Sequence, residues 1–365
     1  MQPDFSIKKV LIYRTGSLHD TVVALPCFHL IARAFPNAER VLLTDFPARS
    51  KAPAAAAVLR HSGLVDGYMA HHAGTRSFGE LAALAWRIHG FSPDLLVYMM
   101  PVRPAKMVNR DRRFFLLAGV SRIVGIPGEQ ERKHEFDAAT GLYESEASRL
   151  ARSIGKLGDA AVHDPANWDL GLTHEEKGAA AVALGPLMRR PLLVCGPGTK
   201  VQAKDWGQDN WRALLAWFHS RYAGFGLALI GSQDDSDMCD SVARDWLGTK
   251  INLCGKLTPR ESAAVLEHAR IFLGPDSGPM HLAASVGTPC VAAFSARAMP
   301  GTWYPVGPLH QVVYHQTSCY GCQLETCITE GRRCLTSITV QEMADAVCRV
   351  LDRKVATGTY RLPRL

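Results

Sequence analysis

No stretch of the 365 residues is apolar for long enough to span a bilayer, so the sequence offers no transmembrane helix. The opening residues, Met1 to Lys9, lack the apolar segment of a signal peptide, and the expectation is a cytoplasmic chain. Aromatic residues make up only 8%, and no basic stripe carries them interleaved, so a nucleic-acid reader is not expected. None of the Gly-rich turns ends in Gly-Lys-Ser/Thr, which excludes a P-loop. Short-period repeats and low-complexity tracts are missing as well. Ten cysteines are present, but in a cytoplasmic chain they argue against a disulfide framework.

What is present is an ordinary globular composition, 47% hydrophobic and 21% charged, in a chain longer than one core usually serves. Two domains follow. A formal net charge of +7 suits phosphate-bearing small ligands or an anionic membrane surface.

Along the chain, residues 10–13 read as a short buried strand, followed by the turn Thr15-Gly-Ser17 and helical spacing over residues 21–35. Residues 41–44 and 94–98 read as later strands, with helices over 52–59 and 78–89 between them. The pattern then restarts. Thr173 with Glu176 three residues on is a capping-box signature, predicting a helix to about Leu184. Further strands are expected at residues 191–195, 226–230, 270–273 and 290–294, with helices from near Asp209 and over 279–286. Alternating strands and helices imply an α/β protein of two Rossmann-like domains, 1–172 and 173–365, facing across a cleft. Ligands bind such sheets beyond the carboxyl ends of the strands.

Three constellations follow strand ends. In Arg14-Thr-Gly-Ser-Leu-His-Asp20, Gly16 permits a tight turn, and Asp20 is either a helix N-cap or a general base at the cleft mouth. In Gly196-Pro-Gly-Thr-Lys-Val-Gln-Ala-Lys-Asp-Trp206, a Gly-rich turn with Thr199, Lys200 and Lys204 is either a phosphate cradle or a solvated surface loop. In Leu273-Gly-Pro-Asp-Ser-Gly-Pro-Met-His-Leu-Ala-Ala284, Asp276, Ser277 and Gly278 turn into a helix whose free N–H groups suit a diphosphate. The plainer reading makes Ser277 a cap and His281 a buried helix residue. A basic run over residues 103–113 contains Arg103, Lys106, Arg110, Arg112 and Arg113, and it is either a solvated helix face or an anion-binding one.

Leu18-His-Asp-Thr-Val-Val-Ala-Leu-Pro26, Ala203-Lys-Asp-Trp206 and Gly274-Pro-Asp-Ser-Gly-Pro-Met-His-Leu-Ala283 resemble, in order and separation, motifs of glycosyltransferase family 9, the lipopolysaccharide heptosyltransferases. The resemblance covers roughly residues 8 to 350. It implies a GT-B fold, an N-terminal acceptor domain, a C-terminal donor domain, and metal-independent inverting transfer from a nucleotide-sugar such as ADP-heptose. The implied acceptor is lipopolysaccharide or another surface glycan, with contact at the inner face of the cytoplasmic membrane. Residue by residue, Asp20 matches the family's proposed base and Lys204 a phosphate-contacting lysine. Asp276, Ser277 and Gly278 match the donor turn, which Met280 and His281 continue. Lys200 stands where other members carry Ser or Thr. The family usually has Gly before the catalytic Asp, and this chain has His19. Arg110, Arg112 and Arg113 are expected to face the anionic acceptor.

Cys319, Cys322, Cys327 and Cys334 are spaced Cys-x2-Cys-x4-Cys-x6-Cys. Four thiolates in one segment could hold a structural zinc or iron, or pack the loop as reduced thiols. No cofactor is required for the expected chemistry. Two other functions fit the same fold: a nucleotide-sugar 2-epimerase, and a sugar-nucleotide-binding protein without turnover.

Overall fold

The computed structural model describes residues 4, 6–46, 55–72, 77–328 and 330–356, and the chain forms two compact units, Met1–Leu172 and Thr173–Leu365. The first runs β1 (Lys9–Tyr13), α1 (Leu18–Val23), α2 (Leu25–Ala34), β2 (Glu39–Phe46), α3 (Ala56–Leu59), β3 (Gly67–His72), α4 (Phe78–Phe91), β4 (Leu95–Tyr98), α5 (Ala105–Leu117) and β5 (Ile123–Val124). A small antiparallel pair, β6 (Phe136–Asp137) and β7 (Leu142–Tyr143), precedes α6 (Glu146–Ser153). The five-stranded sheet has the order β3-β2-β1-β4-β5, and every pairing in it is parallel. All four residues of β4 are buried, as expected of a strand covered on both faces.

The second unit runs α7 (His174–Leu184), β8 (Leu192–Cys195), α8 (Gln208–Arg221), β9 (Gly226–Leu229), α9 (Ser236–Val242), β10 (Lys250–Asn252), α10 (Pro259–Glu267), β11 (Ala269–Pro275), α11 (Gly278–Ser285), β12 (Cys290–Phe294), β13 (Gln311–Tyr314), α12 (Arg333–Thr336) and α13 (Val340–Ala356). Its parallel sheet has the order β10-β9-β8-β11-β12-β13. In both units the chain builds outward from the first strand, then returns to its other side. β1 lies beside β4 and β8 beside β11, and these are the switch points where Rossmann-like sheets bind ligands.

Local expectations and structure differ at several points. The helical pattern over 21–35 is two helices, and it begins earlier, at Leu18. Ala24 ends the first and starts the second, because Pro26 has no N–H to continue the ladder. β3 has little apolar signal in its sequence, Gly-Tyr-Met-Ala-His-His, and gains its strand character from pairing with β2. Of the helix expected over 52–59, residues 52–54 lie outside the described residues, and α3 begins at Ala56.

The cores are built around aromatic rings. In the first unit Tyr13 packs edge-on against Phe115 at 5.0 Å and Tyr98 at 5.6 Å. In the second, Trp206, Trp211 and Trp246 are buried, and the first two meet edge-to-face at 4.7 Å. Burying a side chain of this kind contributes about 1.5–3 kcal/mol. The Trp206 indole N–H also donates to the Ile338 carbonyl at 2.9 Å, so the loop after β8 is pinned to the core at its far end. Among the described residues, no helix is long and apolar enough to cross a membrane.

Candidate functional site

In the first unit the chain leaves β1 at Tyr13 and turns through Gly16, whose φ of +128° suits glycine. Any Cβ there would fall 2.7 Å from the Asp20 carboxyl carbon, so Gly16 also makes room for that side chain. Ser17, rather than Asp20, is the N-cap of α1. Asp20 is the third helical residue and completes a capping box, with its Oδ2 accepting the Ser17 N–H and the Ser17 hydroxyl, each at 2.8 Å. The N-cap reading of Asp20 is corrected accordingly.

The remaining oxygen, Oδ1, lies 3.8 Å from the Arg14 guanidinium, and His19 Nε2 lies 3.6 Å from Oδ2. The Ser17 hydroxyl also contacts His19 Nδ1 at 2.5 Å. Burial pushes the Asp20 carboxyl up. The charges of His19 and Arg14 and the Ser17 hydrogen bonds more than offset this, holding it below its ordinary value.

Arg14 is itself fixed. It is 1% exposed, donates to the Met99 carbonyl at 2.9 Å and the Asp20 carbonyl at 2.7 Å, and lies 3.8 Å from buried Glu146. Glu146 is held in turn by Arg149 at 2.7 and 2.8 Å. Asp20 thus rests on a chain of buried, paired charges that extends to α6. This support carries no local sequence signal, because its members come from two distant segments, residues 14–20 and 146–149.

The basic run divides in two. Asp111, buried on α5, accepts from Tyr98 and Arg103 at 2.9 Å on one oxygen and from Arg110 at 2.9 Å on the other. Arg103 also reaches the Thr15 hydroxyl at 3.3 Å, joining the loop after β4 to the loop after β1. Arg112 and Arg113 are exposed. Arg103, not named as a site residue from sequence, is therefore the member of this run that reaches the loop after β1, where Arg14 already joins β1 to β4.

In the second unit the two motifs after β8 and β11 meet. Lys204, in a turn of 3₁₀ helix, places Nζ 2.7 Å from Asp276 Oδ2, and His281 Nε2 lies 3.7 Å from Asp276 Oδ1. All three side chains are buried to within a tenth. Burial opposes the Asp276 charge, but Lys204 and then His281 hold its carboxyl far below the usual carboxylate range. Ser277 is the N-cap of α11. Its hydroxyl makes no cap bond, is buried, and has no hydrogen-bond partner among the described residues. Gly278 opens the helix with Pro279 behind it, leaving free N–H groups beside that hydroxyl.

The Thr199 hydroxyl makes a local bond, donating to the Val201 carbonyl at 3.3 Å, while Lys200 is exposed. A Cβ at Gly198 would fall 2.5 Å from Asp235 Oδ1, which brings the loop after β9 against the same turn. That loop carried no sequence signal for the site. The arrangement offers an ammonium, a hydroxyl and helix N–H groups on one side of the sheet edge, a donor set suited to phosphate oxygens.

The four-cysteine segment follows β13. Burial pushes the Cys334 thiol up, and the thiols of Cys319, Cys327 and Cys322 add to the shift. Among the described residues, no group of three or more His, Cys, Asp or Glu side chains is gathered closely enough to hold a metal ion.

Residues 156–332 match the family model of glycosyltransferase family 9 (heptosyltransferase). A lipopolysaccharide heptosyltransferase 3 of Escherichia coli is 31% identical over 107 residues, 28% of this chain and 31% of its own length. The match therefore spans under a third of that relative. Among solved structures, a glycosyl transferase family 9 protein from Veillonella parvula aligns over 97% of this chain and 99% of its own, with a TM-score of 0.74 and 17% identity. The Escherichia coli ADP-heptose LPS heptosyltransferase II aligns over 95% and 99%, with a TM-score of 0.65 and 16% identity. The fold is GT-B. Residues 156–332 of the chain are therefore similar to glycosyltransferase family 9, the heptosyltransferase family, and the whole chain shares the fold of solved members of that family.

Proposed function

We propose that this protein is an inverting glycosyltransferase that moves a sugar, with heptose first among candidates, from a nucleoside-diphosphate sugar to a lipopolysaccharide or other surface-glycan acceptor. The single observation that carries this reading is the pairing of motifs at the second unit's switch point, where Lys204, Asp276 and Ser277 are brought together at the start of α11. ADP-heptose is the favoured donor, since it is named for a solved relative of the same fold.

In this reading, the diphosphate takes the free N–H groups of α11 and the buried Ser277 hydroxyl. Lys204 adds a charge-assisted contact without leaving Asp276, because an ammonium carries three donors. Developing negative charge on the leaving diphosphate is stabilised there. In the first unit, Asp20 takes the acceptor hydroxyl's proton on Oδ1, the oxygen not engaged by Ser17. A carboxylate with a lowered pKa is a weak base. It serves when proton loss accompanies attack on a developing oxocarbenium ion.

Arg112 and Arg113, with Arg110 and Arg103 beside Asp111, are the basic groups proposed for the anionic acceptor. The exposed basic residues of α5 are also proposed for contact with an anionic membrane at the cytoplasmic side. The four-cysteine segment is taken as structural, and no step of the reaction is assigned to it.

Incubation with ADP-heptose and a crude lipid-glycan acceptor tests the reading. A transferase releases nucleoside diphosphate only when the acceptor is present. A 2-epimerase would change the sugar without acceptor, and a binding protein would do neither. The family match, which is to transferases, favours the first outcome.

A further inference from the structure

Around Lys204, the turn of 3₁₀ helix is bonded almost residue by residue to the segment that carries the four cysteines and to the residues just after it. Gln202 Oε1 accepts the Cys327 N–H at 3.0 Å. The Ala203 N–H donates to the Glu325 carbonyl at 3.0 Å. Asp205 accepts two bonds from Arg332 Nη1, one on its carbonyl and one on Oδ2, both at 2.9 Å. Trp206 reaches Ile338. The Lys204 side chain points elsewhere, to Asp276.

The other flank of the segment is tied to the loop after β12. Gly321 N–H donates to the Ala296 carbonyl at 2.7 Å, and Arg297 donates to the carbonyls of Leu324 and Gln323, both at 2.8 Å.

Arg332 is held in an unusual state. Its φ is +63°, a left-handed conformation uncommon for a residue with a side chain. Its backbone N–H donates to Cys327 Sγ at 3.2 Å. Strain of that kind persists where the surroundings over-determine it. Here the determinants are the Cys327 sulfur on one side and Asp205 on the other.

We propose that the four-cysteine segment is a clamp on the donor loop, with Arg332 as the positioning residue that holds Lys204 in register with Asp276 and Ser277. The inference rests on the donor-site reading above and deepens it. The Arg332 side chain bonds to Asp205, the neighbour of Lys204, and not to Lys204 itself. It acts by fixing the backbone on the carboxyl side of Lys204, while Glu325 fixes it on the amino side.

Titration of the full-length protein with ADP, for the wild type, Arg332→Ala, Lys204→Ala and the double variant, tests the clamp. Arg332→Ala should weaken ADP about tenfold through Lys204, so the double variant should bind no more weakly than Lys204→Ala alone. Arg332→Lys, which restores the charge facing Asp205, should recover part of the loss. Hydrogen exchange gives a second readout independent of ADP: the amides of residues 203–205 should exchange about tenfold faster in Arg332→Ala, with the strands of the sheet unchanged. If Arg332→Ala does not fold, Asp205→Asn removes the charge from the side-chain half of the same contact, leaving the bond to the Asp205 carbonyl, and should speed exchange at residues 203–205 in the same direction by a smaller factor. Additive losses in the double variant, or unchanged exchange at 203–205, overturn the clamp. Unchanged ADP affinity in Lys204→Ala would instead sink the donor reading, and the exchange result would then decide the clamp by itself.

Discussion

Lys204 Nζ and Asp276 Oδ2 stand 2.7 Å apart, both buried, and they join a loop after β8 to a turn after β11. An ion pair removed from water gains little over an apolar pair, yet breaking it by deleting one partner is costly. Lys204→Ala is therefore expected to lower unfolding free energy by about 3–5 kcal/mol, measured in urea. It should also weaken nucleoside-diphosphate binding about tenfold to a hundredfold, read by calorimetry, if the ammonium contacts the donor phosphates.

The same pair sets an acid limit. The folded Asp276 carboxyl titrates below its ordinary value of 3.8, so its charge stabilises the fold above that value. The contribution is lost as pH falls through the lower, folded value. In Lys204→Ala the largest charge holding it down is gone. Stability should then decline at a higher pH than in the wild type, which acid titrations of both proteins by circular dichroism would show.

Asp20→Asn is the cleanest test of the base. At the third position of α1, Asn can still accept the Ser17 N–H through its amide oxygen, so the helix start should survive. Turnover should fall about 10²–10⁴-fold with donor affinity unchanged. Near-normal turnover would reduce Asp20 to a capping-box residue.

His19 should shape the pH profile through Asp20. Its charge is one of the influences that lower the Asp20 carboxyl. His19→Gly removes it, so the Asp20 pKa should rise and the acid limb of the rate–pH profile should move to higher pH. An unshifted limb would separate His19 from the chemistry.

Neutralising Arg112 and Arg113 to Gln should raise the acceptor KM about twofold to fivefold per residue, the scale of an exposed charge contact, and leave ADP binding alone. Arg110 should behave differently. It shares the buried Asp111 with Arg103 and Tyr98, so Arg110→Gln should also lower the melting temperature.

Much of this site was legible in the sequence because its signals are local. The Thr173–Glu176 capping box is present with both bonds formed, at 2.8 and 3.3 Å, since each needs only a helical turn to meet. Short apolar runs ended where β1 and β8 end, at residues 13 and 195, and at residue 273, two residues short of the end of β11, so the motifs fell at the strand ends they belong to. What the tertiary structure alone decided was which of these ends are neighbours. The return of β11 beside β8 brings Lys204 to Asp276, and the return of β4 beside β1 brings Met99 to Arg14 and Arg103 to Thr15. Arg332 shows the limit most clearly: nothing in its local sequence marks it, and while Cys327 is a neighbour in the same segment, its partner Asp205 is set by packing of that segment onto a distant loop. Helical and strand periodicity encode which face of an element is apolar. The partner that covers that face, and so the charges it meets, is fixed only when the sheets are assembled.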